Sequence, residues 1–120
     1  MEKQHALQQL EQLQKKLYAI HYACSAMNLD ADTVAPKNTS EGRGVALGVL
    51  AGEEQQLMIC PETRALLDEL DRQKDELDLL HRREVEELRR RCDQLTRIPA
   101  EEYIAYSELV NKAGDVWHKA

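Results

Sequence analysis

The chain has few aromatic residues, since its 120 residues include no phenylalanine, four tyrosines and one tryptophan. A hydrophobic core must therefore be built mostly from leucine, valine, alanine and methionine. Three cysteines, Cys24, Cys60 and Cys92, form no C-x-x-C pair, and an odd number argues against a disulfide framework. The apolar segments are too short and interrupted to cross a bilayer, and no apolar run follows the first residues. These absences predict a cytoplasmic protein with no signal peptide and no membrane span.

Positive charge is also scarce, because the formal net charge is -6. A nucleic-acid surface needs clustered cations that outnumber the nearby acids. The one basic run, Arg89–Arg91, follows Glu84, Glu86 and Glu87, a pattern typical of a solvated helix face. We therefore expect neither a nucleic-acid nor a membrane partner.

Motifs for the common catalytic chemistries are missing as well. A zincin places two histidines and a glutamate on one helix as His-Glu-x-x-His. No such motif can be formed by the four histidines, which are His5, His21, His81 and His118. Asp30, Asp32 and Glu41 have some of the spacing of a calcium loop, but Val34 and Ala35 stand where that loop needs a ligand and a glycine. The sequence predicts no catalytic residue, no metal site and no cofactor.

What the chain has in plenty is helical periodicity. A long amphipathic helix is predicted from about residue 2 to residue 27, with apolar side chains at Leu7, Leu10, Leu13, Leu17, Ile20, Cys24 and Met27. Residues 28–40 are predicted as a loop, in which Asp30 and Asp32 either cap the backbone or contact another domain. A second helix, about 41–58, carries Gly44, Gly48 and Gly52 on one face, a pattern that favours close helix packing.

Prolines mark the later helices. Pro61 suits the first position of a third helix that ends near Arg72, and a fourth helix is predicted over 75–96. Pro99 precedes a fifth helix, about 100–119, which is expected to bury some of Ile104, Leu109, Val110, Val116 and Trp117. The prediction is one all-α domain over residues 1–120, with four to five helices in an antiparallel bundle-like arrangement and a long first helix.

A series of short motifs resembles the N-terminal region of one enzyme family, the carboxypeptidase Taq family of zinc metallocarboxypeptidases. Leu17-Tyr18-Ala19-Ile20 is similar to the end of the family's first helix. The family's Trp-Asp-x-x-Thr-x-Met-Pro loop is matched by Asp30, Thr33 and Pro36, with Leu29 and Ala35 replacing Trp and Met.

The resemblance continues to the end of the chain. Its later matches are Arg43, the segment 47–52, the segment 88–99, and Trp117 with Ala120. It implies a helical region that walls the substrate groove and contributes to dimer contacts in complete enzymes. The family's zinc ligands, general base and carboxylate-binding groups lie downstream, so none of them corresponds to a residue of this chain.

Two hypotheses follow from these observations. In the first, the chain is a non-catalytic helical module, a truncated or isolated N-terminal region that acts through self-association or contact with a peptidase-like body. The predicted contact residues are Leu10, Leu13, Leu17, Gly44, Gly48 and Gly52, and the partner is a second copy in a homodimer or the peptidase-like body. In the alternative, the chain is a free-standing helical adaptor or regulator that binds a separate protein.

Overall fold

The computed structural model describes residues 2–119 and consists of five α-helices with no strand among these residues. The helices are α1 (Lys3–Thr33), α2 (Ser40–Ile59), α3 (Pro61–Arg72), α4 (Leu79–Thr96) and α5 (Ala100–Lys119). The all-α prediction is confirmed. No helix in the described part of the chain is long and apolar enough to cross a membrane.

The first helix is six residues longer than its periodicity predicts, so the predicted loop over 28–40 is wrong for residues 28–33. Asp and Asn are only modestly less favourable than Ala in a helix, and here their side chains face solvent. The hydroxyl of Thr33 donates to the carbonyl of Leu29 at 2.6 Å, which continues the bonding of the last turn. The connection to α2 is therefore short, and within it Asn38 adopts a positive φ of 70°.

The fourth helix begins later than predicted. A 3₁₀ turn, Lys74–Glu76, follows α3, and α4 starts only after Asp78. The carboxylate of Asp78 accepts a hydrogen bond from the backbone N–H of His81 at 2.9 Å, which caps one of the free amides of the first turn. The Asp78 cap therefore sets the start of α4, and residues 75–78 lie outside the helix.

The chain divides into two compact units, each made of two sequence segments. Unit 1 comprises Met1–Leu17 and Gln55–Ile98, and unit 2 comprises Tyr18–Glu54 and Pro99–Ala120. Both α1 and α2 thus contribute one part to each unit. The division describes which segments pack compactly together and does not test the number of domains. The assignment of residues 1–120 to a single domain therefore stays a prediction.

Unit 1 contains most of the buried apolar residues. Helices α3 and α4 are antiparallel, since Arg64 donates to Thr96 at 3.1 Å while Arg89 pairs with Asp68 at 2.7 Å. The core of unit 1 is formed by Ala6, Leu10, Leu13, Leu17, Met58, Leu66, Leu67, Leu70, Leu77, Val85, Cys92 and Leu95. Full burial of a large apolar side chain stabilises the folded state by about 1.5–3 kcal/mol. Unit 1 therefore has a conventional hydrophobic core.

Gln55 joins two helices inside this core. Its side chain is 0% exposed, and its amide nitrogen donates to the carbonyls of Leu95 at 3.1 Å and Ile98 at 2.7 Å. The last carbonyls of a helix have no partner within the helix. Gln55 on α2 therefore closes the end of α4 and fixes the start of the segment that leads to α5.

Candidate protein-contact surface

Unit 2 has almost no apolar core. Of the buried apolar residues in the described chain, only Leu47 and Ala51 belong to it. Its exposed large apolar side chains are Tyr18, Tyr22, Leu29, Val34, Val45, Val49, Tyr106, Leu109, Val110, Val116 and Trp117. Among the described residues of unit 1, the exposed large apolar side chains are Leu79, Leu80 and Ile98. Large exposed apolar areas mark contact surfaces more often than isolated exposed leucines do.

Helix α5 is the extreme case. None of its residues is buried, so the prediction that it buries Leu109, Val110, Val116 or Trp117 is wrong, and Ile104 is only half-buried. The spacing of these side chains is helical, but Leu109, Val110, Val116 and Trp117 remain more than half exposed. Periodicity identifies an apolar face without telling whether the chain itself covers that face.

The glycine face of α2 lies against the other side of α5. A Cβ added at Gly48 would lie 2.8 Å from Oε1 of Glu108 and 3.2 Å from Cγ2 of Ile104. One added at Gly44 would lie 3.0 Å from the Asn111 side chain, and one at Gly52 would lie 3.0 Å from Ile104. The two helices are therefore antiparallel and close, and the glycines allow this approach.

The remaining predicted contact residues are Leu10, Leu13 and Leu17, all of them buried in unit 1. Neither these leucines nor the three glycines belong to the apolar side chains that the described chain exposes. Their role in association stays a prediction, while the exposed apolar residues of unit 2 offer a second surface that periodicity does not single out.

A polar contact fastens α5 to the start of α2. The guanidinium of Arg43 donates through Nε to the amide oxygen of Asn111 at 3.0 Å and through Nη1 to the Thr39 hydroxyl at 3.3 Å. The Asn111 amide nitrogen in turn donates to the carbonyl of Ser40 at 2.9 Å. Arg43, one of the family-like residues, thus has a structural partner that sequence reasoning missed.

A groove of about 600 Å³ runs along unit 2 between the three helices. Its floor includes the buried Leu47 and Ala51, and its walls come from α1 and α5. The other lining residues are Cys24, Asn28, Ala31, Asp32, Arg43, Glu54, Tyr103, Tyr106, Ser107, Val110, Asn111, Gly114, Asp115 and His118. The groove occupies the space between the helices where a conventional unit would have its core.

The electrostatics of the groove centre on carboxylates. Glu54, only 8% exposed, lies 3.5 Å from Nε2 of His21, and Oδ1 of Asp32 lies 2.9 Å from Nε2 of His118. Burial raises the pKa of the Cys24 thiol, and the nearby charge of Glu54 raises it further. Cys24 is therefore a thiol held protonated, the opposite of an activated nucleophile.

The other family-like positions lie near this surface without forming one cluster. Asp30 and Thr33 are in the last turns of α1, Pro36 is in the connection to α2, and Trp117 is exposed on α5. The matching Ala120 lies outside the described residues. Asp32 contacts His118 on α5, and both residues belong to unit 2.

Sequence reasoning missed three residues that make contacts in this unit, namely Glu54, Asn111 and His118. Each contacts a residue far away in the chain, such as Asn111 with Ser40 or His118 with Asp32. Glu54 follows another glutamate, Glu53, and only the helical period of Leu47 and Ala51 could have suggested that Glu54 shares their buried face.

The histidines provide no zinc site. His5 contacts Gln9, His21 contacts Glu54, His81 contacts Asp78 and His118 contacts Asp32, so the four lie at separate places. Within residues 2–119 no three side chains of histidine, cysteine, aspartate or glutamate form a group that could hold a metal ion. The described residues therefore do not fit the zinc of a metallopeptidase.

Comparison with known proteins agrees with the motif resemblance. The family model described as "Carboxypeptidase Taq (M32) metallopeptidase" matches residues 9–120. The chain is 31% identical over 102 residues to the protein named "Carboxypeptidase 1" of Bacillus subtilis (strain 168). That match covers 83% of this chain and 20% of the relative, so the chain spans about a fifth of the relative's length. No solved structure matches.

Proposed function

Because the chain belongs to the carboxypeptidase Taq (M32) metallopeptidase family, we propose that it is a non-catalytic helical contact module of a peptidase of this kind. The module binds through the exposed apolar surface of unit 2. Its partner is a peptidase-like protein body or a second copy of the chain, and the contact takes place in the cytoplasm.

The observation that carries this proposal is the unequal distribution of apolar side chains. Unit 1 buries them, whereas unit 2 exposes most of its large ones, including Tyr106, Val110 and Trp117. At about 25 cal/mol per Å² of apolar area, leaving such side chains in water forgoes a stabilisation of several kcal/mol. A partner that covers them recovers part of this free energy, which is the physical basis for binding.

The absence of catalysis is proposed from the residues themselves. The sequence has no His-Glu-x-x-His motif, and the histidines of the described chain are each engaged elsewhere. In the family, the metal and the base that activates water come from residues downstream of the region that this chain resembles. Pure chain is expected to release no C-terminal amino acid from a peptide, with or without added zinc.

A second candidate function is that of a free-standing adaptor. The observation that favours it is the exposure of aromatic side chains such as Tyr106 and Trp117 on unit 2, because aromatic residues are enriched in interfaces between proteins of any kind. An adaptor would use the same surface of unit 2 but bind a protein unrelated to peptidases.

Affinity capture from an extract of the source cells tests the proposal. The wild-type chain is compared with a variant that carries Tyr106→Lys and Val110→Lys, two exposed changes that leave the core of unit 1 intact. Recovery of a carboxypeptidase-like protein or of untagged chain by the wild type alone supports the contact module. Recovery of an unrelated protein favours the adaptor. Equal recoveries by wild type and variant would contradict both.

A further inference from the structure

We propose that two copies of this chain pair through the outer face of α5, with the two helices antiparallel and Tyr106 of each copy packed against Leu109 of the other. The outer face consists of Glu102, Tyr106, Leu109, Ala113 and Val116. This inference rests on the contact function proposed above, and it names a second copy of the chain as the occupant of this face.

The outer face has the spacing of a coiled-coil seam. Its five residues follow one another at intervals of four, three, four and three, which is the heptad pattern of core positions a and d. All five are exposed, and Tyr106, Leu109 and Val116 are each more than half exposed. Only Glu102 among them is charged, so the chain leaves an apolar stripe of about two heptads in water.

A second set of residues holds α5 in this orientation. Ile104, Asn111 and His118 are spaced by seven and occupy heptad position f, on the side of the helix opposite the seam. Ile104 lies against the glycines of α2, the Asn111 amide donates to the carbonyl of Ser40 at 2.9 Å, and Nε2 of His118 lies 2.9 Å from Oδ1 of Asp32. The contacts within unit 2 therefore keep the outer face turned to solvent and already ordered.

The unpaired charges of α5 complement one another when a second copy is reversed. Glu101 and Glu102 lie in the first turn, Lys112 lies about three turns later, and in the described chain none of the three has an ion-pair partner. When Tyr106 lies opposite Leu109, the rise of about 1.5 Å per residue brings Lys112 to within about 3 Å, along the helix axis, of Glu101 and Glu102 of the second copy. The two-fold symmetry repeats this contact, so opposite charges meet at both ends of the seam.

The same charges disfavour the other ways of pairing this face. In a parallel pair each residue lies beside its own copy, so the acidic first turns would meet. In an antiparallel pair shifted by one heptad, with Tyr106 opposite Val116, Lys112 would lie beside Lys112 of the second copy. The helix dipoles also favour the antiparallel orientation. One orientation and one register therefore satisfy both the apolar stripe and the charges.

The size and charge of the contact predict a reversible dimer. Two helices that touch over two heptads form an interface at the low end of the known range, below about 1,200 Å². The net charge of -6 on each copy opposes association. At 0.15 M salt, however, charges farther apart than about 8 Å are largely screened, whereas the pairs across the seam are closer. Dimerisation should accordingly depend on concentration.

Sedimentation equilibrium of the full chain at 0.15 M salt tests the pairing. The matched variants are Leu109→Lys and Leu29→Lys, because both leucines are exposed on helices of unit 2, at 61% and 65%, and only Leu109 belongs to the outer face. Leu109→Lys should raise the dimer Kd at least about tenfold, and Leu29→Lys should leave it within about twofold. A wild-type chain that stays monomeric up to about 1 mM, or equal effects of the two variants, would overturn the proposal.

Disulfide trapping tests the register. In the proposed pair, residue 102 of one copy lies opposite residue 113 of the other, so a mixture of the Glu102→Cys and Ala113→Cys variants should form a disulfide between these positions. Mass spectrometry of the digested product separates this linkage from any formed by the native cysteines. A disulfide that joins residue 102 to residue 102, or no 102–113 linkage at concentrations where the dimer forms, would contradict the antiparallel register.

Charge reversal separates the specific pairs from the effect of net charge. Lys112→Glu should raise the dimer Kd about threefold or more, and adding Glu101→Lys and Glu102→Lys should restore it. The control is Lys37→Glu, an exposed position of unit 2 outside α5 that makes the same change in net charge. Equal effects of Lys112→Glu and Lys37→Glu would contradict the charge pairs. If affinity capture recovers a carboxypeptidase-like protein while the pure chain stays monomeric, the contact function stands and the self-pairing falls.

Discussion

Substitution of Gln55 by glutamate introduces an ionisable group at a fully buried hydrogen-bonding position. The wild-type amide donates to the carbonyls of Leu95 and Ile98, at 3.1 and 2.7 Å. A protonated glutamate can donate to only one of them, which should cost about 1–2 kcal/mol for the lost hydrogen bond. An ionised glutamate donates to neither and faces two carbonyl oxygens in a site that is 0% exposed.

The pH dependence of the Gln55→Glu variant has a definite sign. Burial raises the pKa of the introduced carboxyl above its unfolded value of about 4.3, by about 2–3 units on the precedent of other buried glutamates. The extra destabilisation is therefore absent below about pH 4, grows as pH rises through the interval between the two pKa values, and is complete above about pH 7. At 1.36 kcal/mol for each unit, it reaches about 3–4 kcal/mol.

Thermal unfolding followed by circular dichroism measures this effect. For a chain of this size about 1 kcal/mol lowers the Tm by roughly 4 °C. Gln55→Glu should therefore lie about 4–8 °C below wild type at pH 4 and about 20 °C below at pH 7.5. The control is Gln56→Glu, an exposed neighbour, which should stay within about 2 °C of wild type at both pH values. A gap that does not widen with pH would refute the burial argument.

Three further predictions concern the other elements. Gly48→Leu should lower the Tm, because overpacking against α5 costs about 1–3 kcal/mol. Gly114→Leu, where an added side chain has open space, should raise the Tm, because leucine has a higher helix propensity than glycine by about 1 kcal/mol. Equal Tm values for the two variants would contradict the close packing of α2 and α5. Hydrogen bonds from the backbone and side chain of His81 lower the pKa of Asp78, so its capping charge stabilises α4 above the unfolded pKa and this stabilisation is lost as pH falls through the lower folded pKa. The Tm of the wild type should exceed that of Asp78→Asn at pH 5, and this difference should shrink as the pH falls to 2.5. A constant difference would contradict a stabilising role for the Asp78 charge. Because burial and Glu54 raise the pKa of the Cys24 thiol, Cys24 should be alkylated more slowly at pH 8 than a free thiol. In a Glu54→Gln variant its alkylation should be faster than in the wild type, and an unchanged rate would show that Glu54 does not raise this pKa.

The helix boundaries that the sequence predicts well are those marked by proline. Pro61 starts α3 and Pro99 precedes α5, as expected from the missing N–H and the restricted backbone of proline. The end of α1 could not be placed in this way, because aspartate and threonine between residues 28 and 33 are compatible with a loop as well as with an exposed helical turn. The Thr33 hydrogen bond to Leu29 decides between the two.

The candidate surface shows where a pattern along the chain carries too little information. Helix α5 has an apolar face by periodicity, and the expectation was that the chain would bury it. Whether such a face is covered depends on the helices packed beside it, and α5 instead packs its Ile104 and Asn111 side against the glycines of α2. The contacts of Gln55 with Leu95 and of Arg43 with Asn111 likewise join residues about forty or more positions apart, which helical periodicity does not report.

The most direct test of the central claim is a hydrogen-exchange comparison of the free chain with the complex captured from its own cells. If unit 2 is the contact surface, slowing of exchange on binding should be confined to α5 and to residues 18–33 and 40–54. The helices α3 and α4, which contain much of the core of unit 1, should exchange at the same rate in both samples. Slowing confined to α3 and α4, with α5 unchanged, would contradict the account.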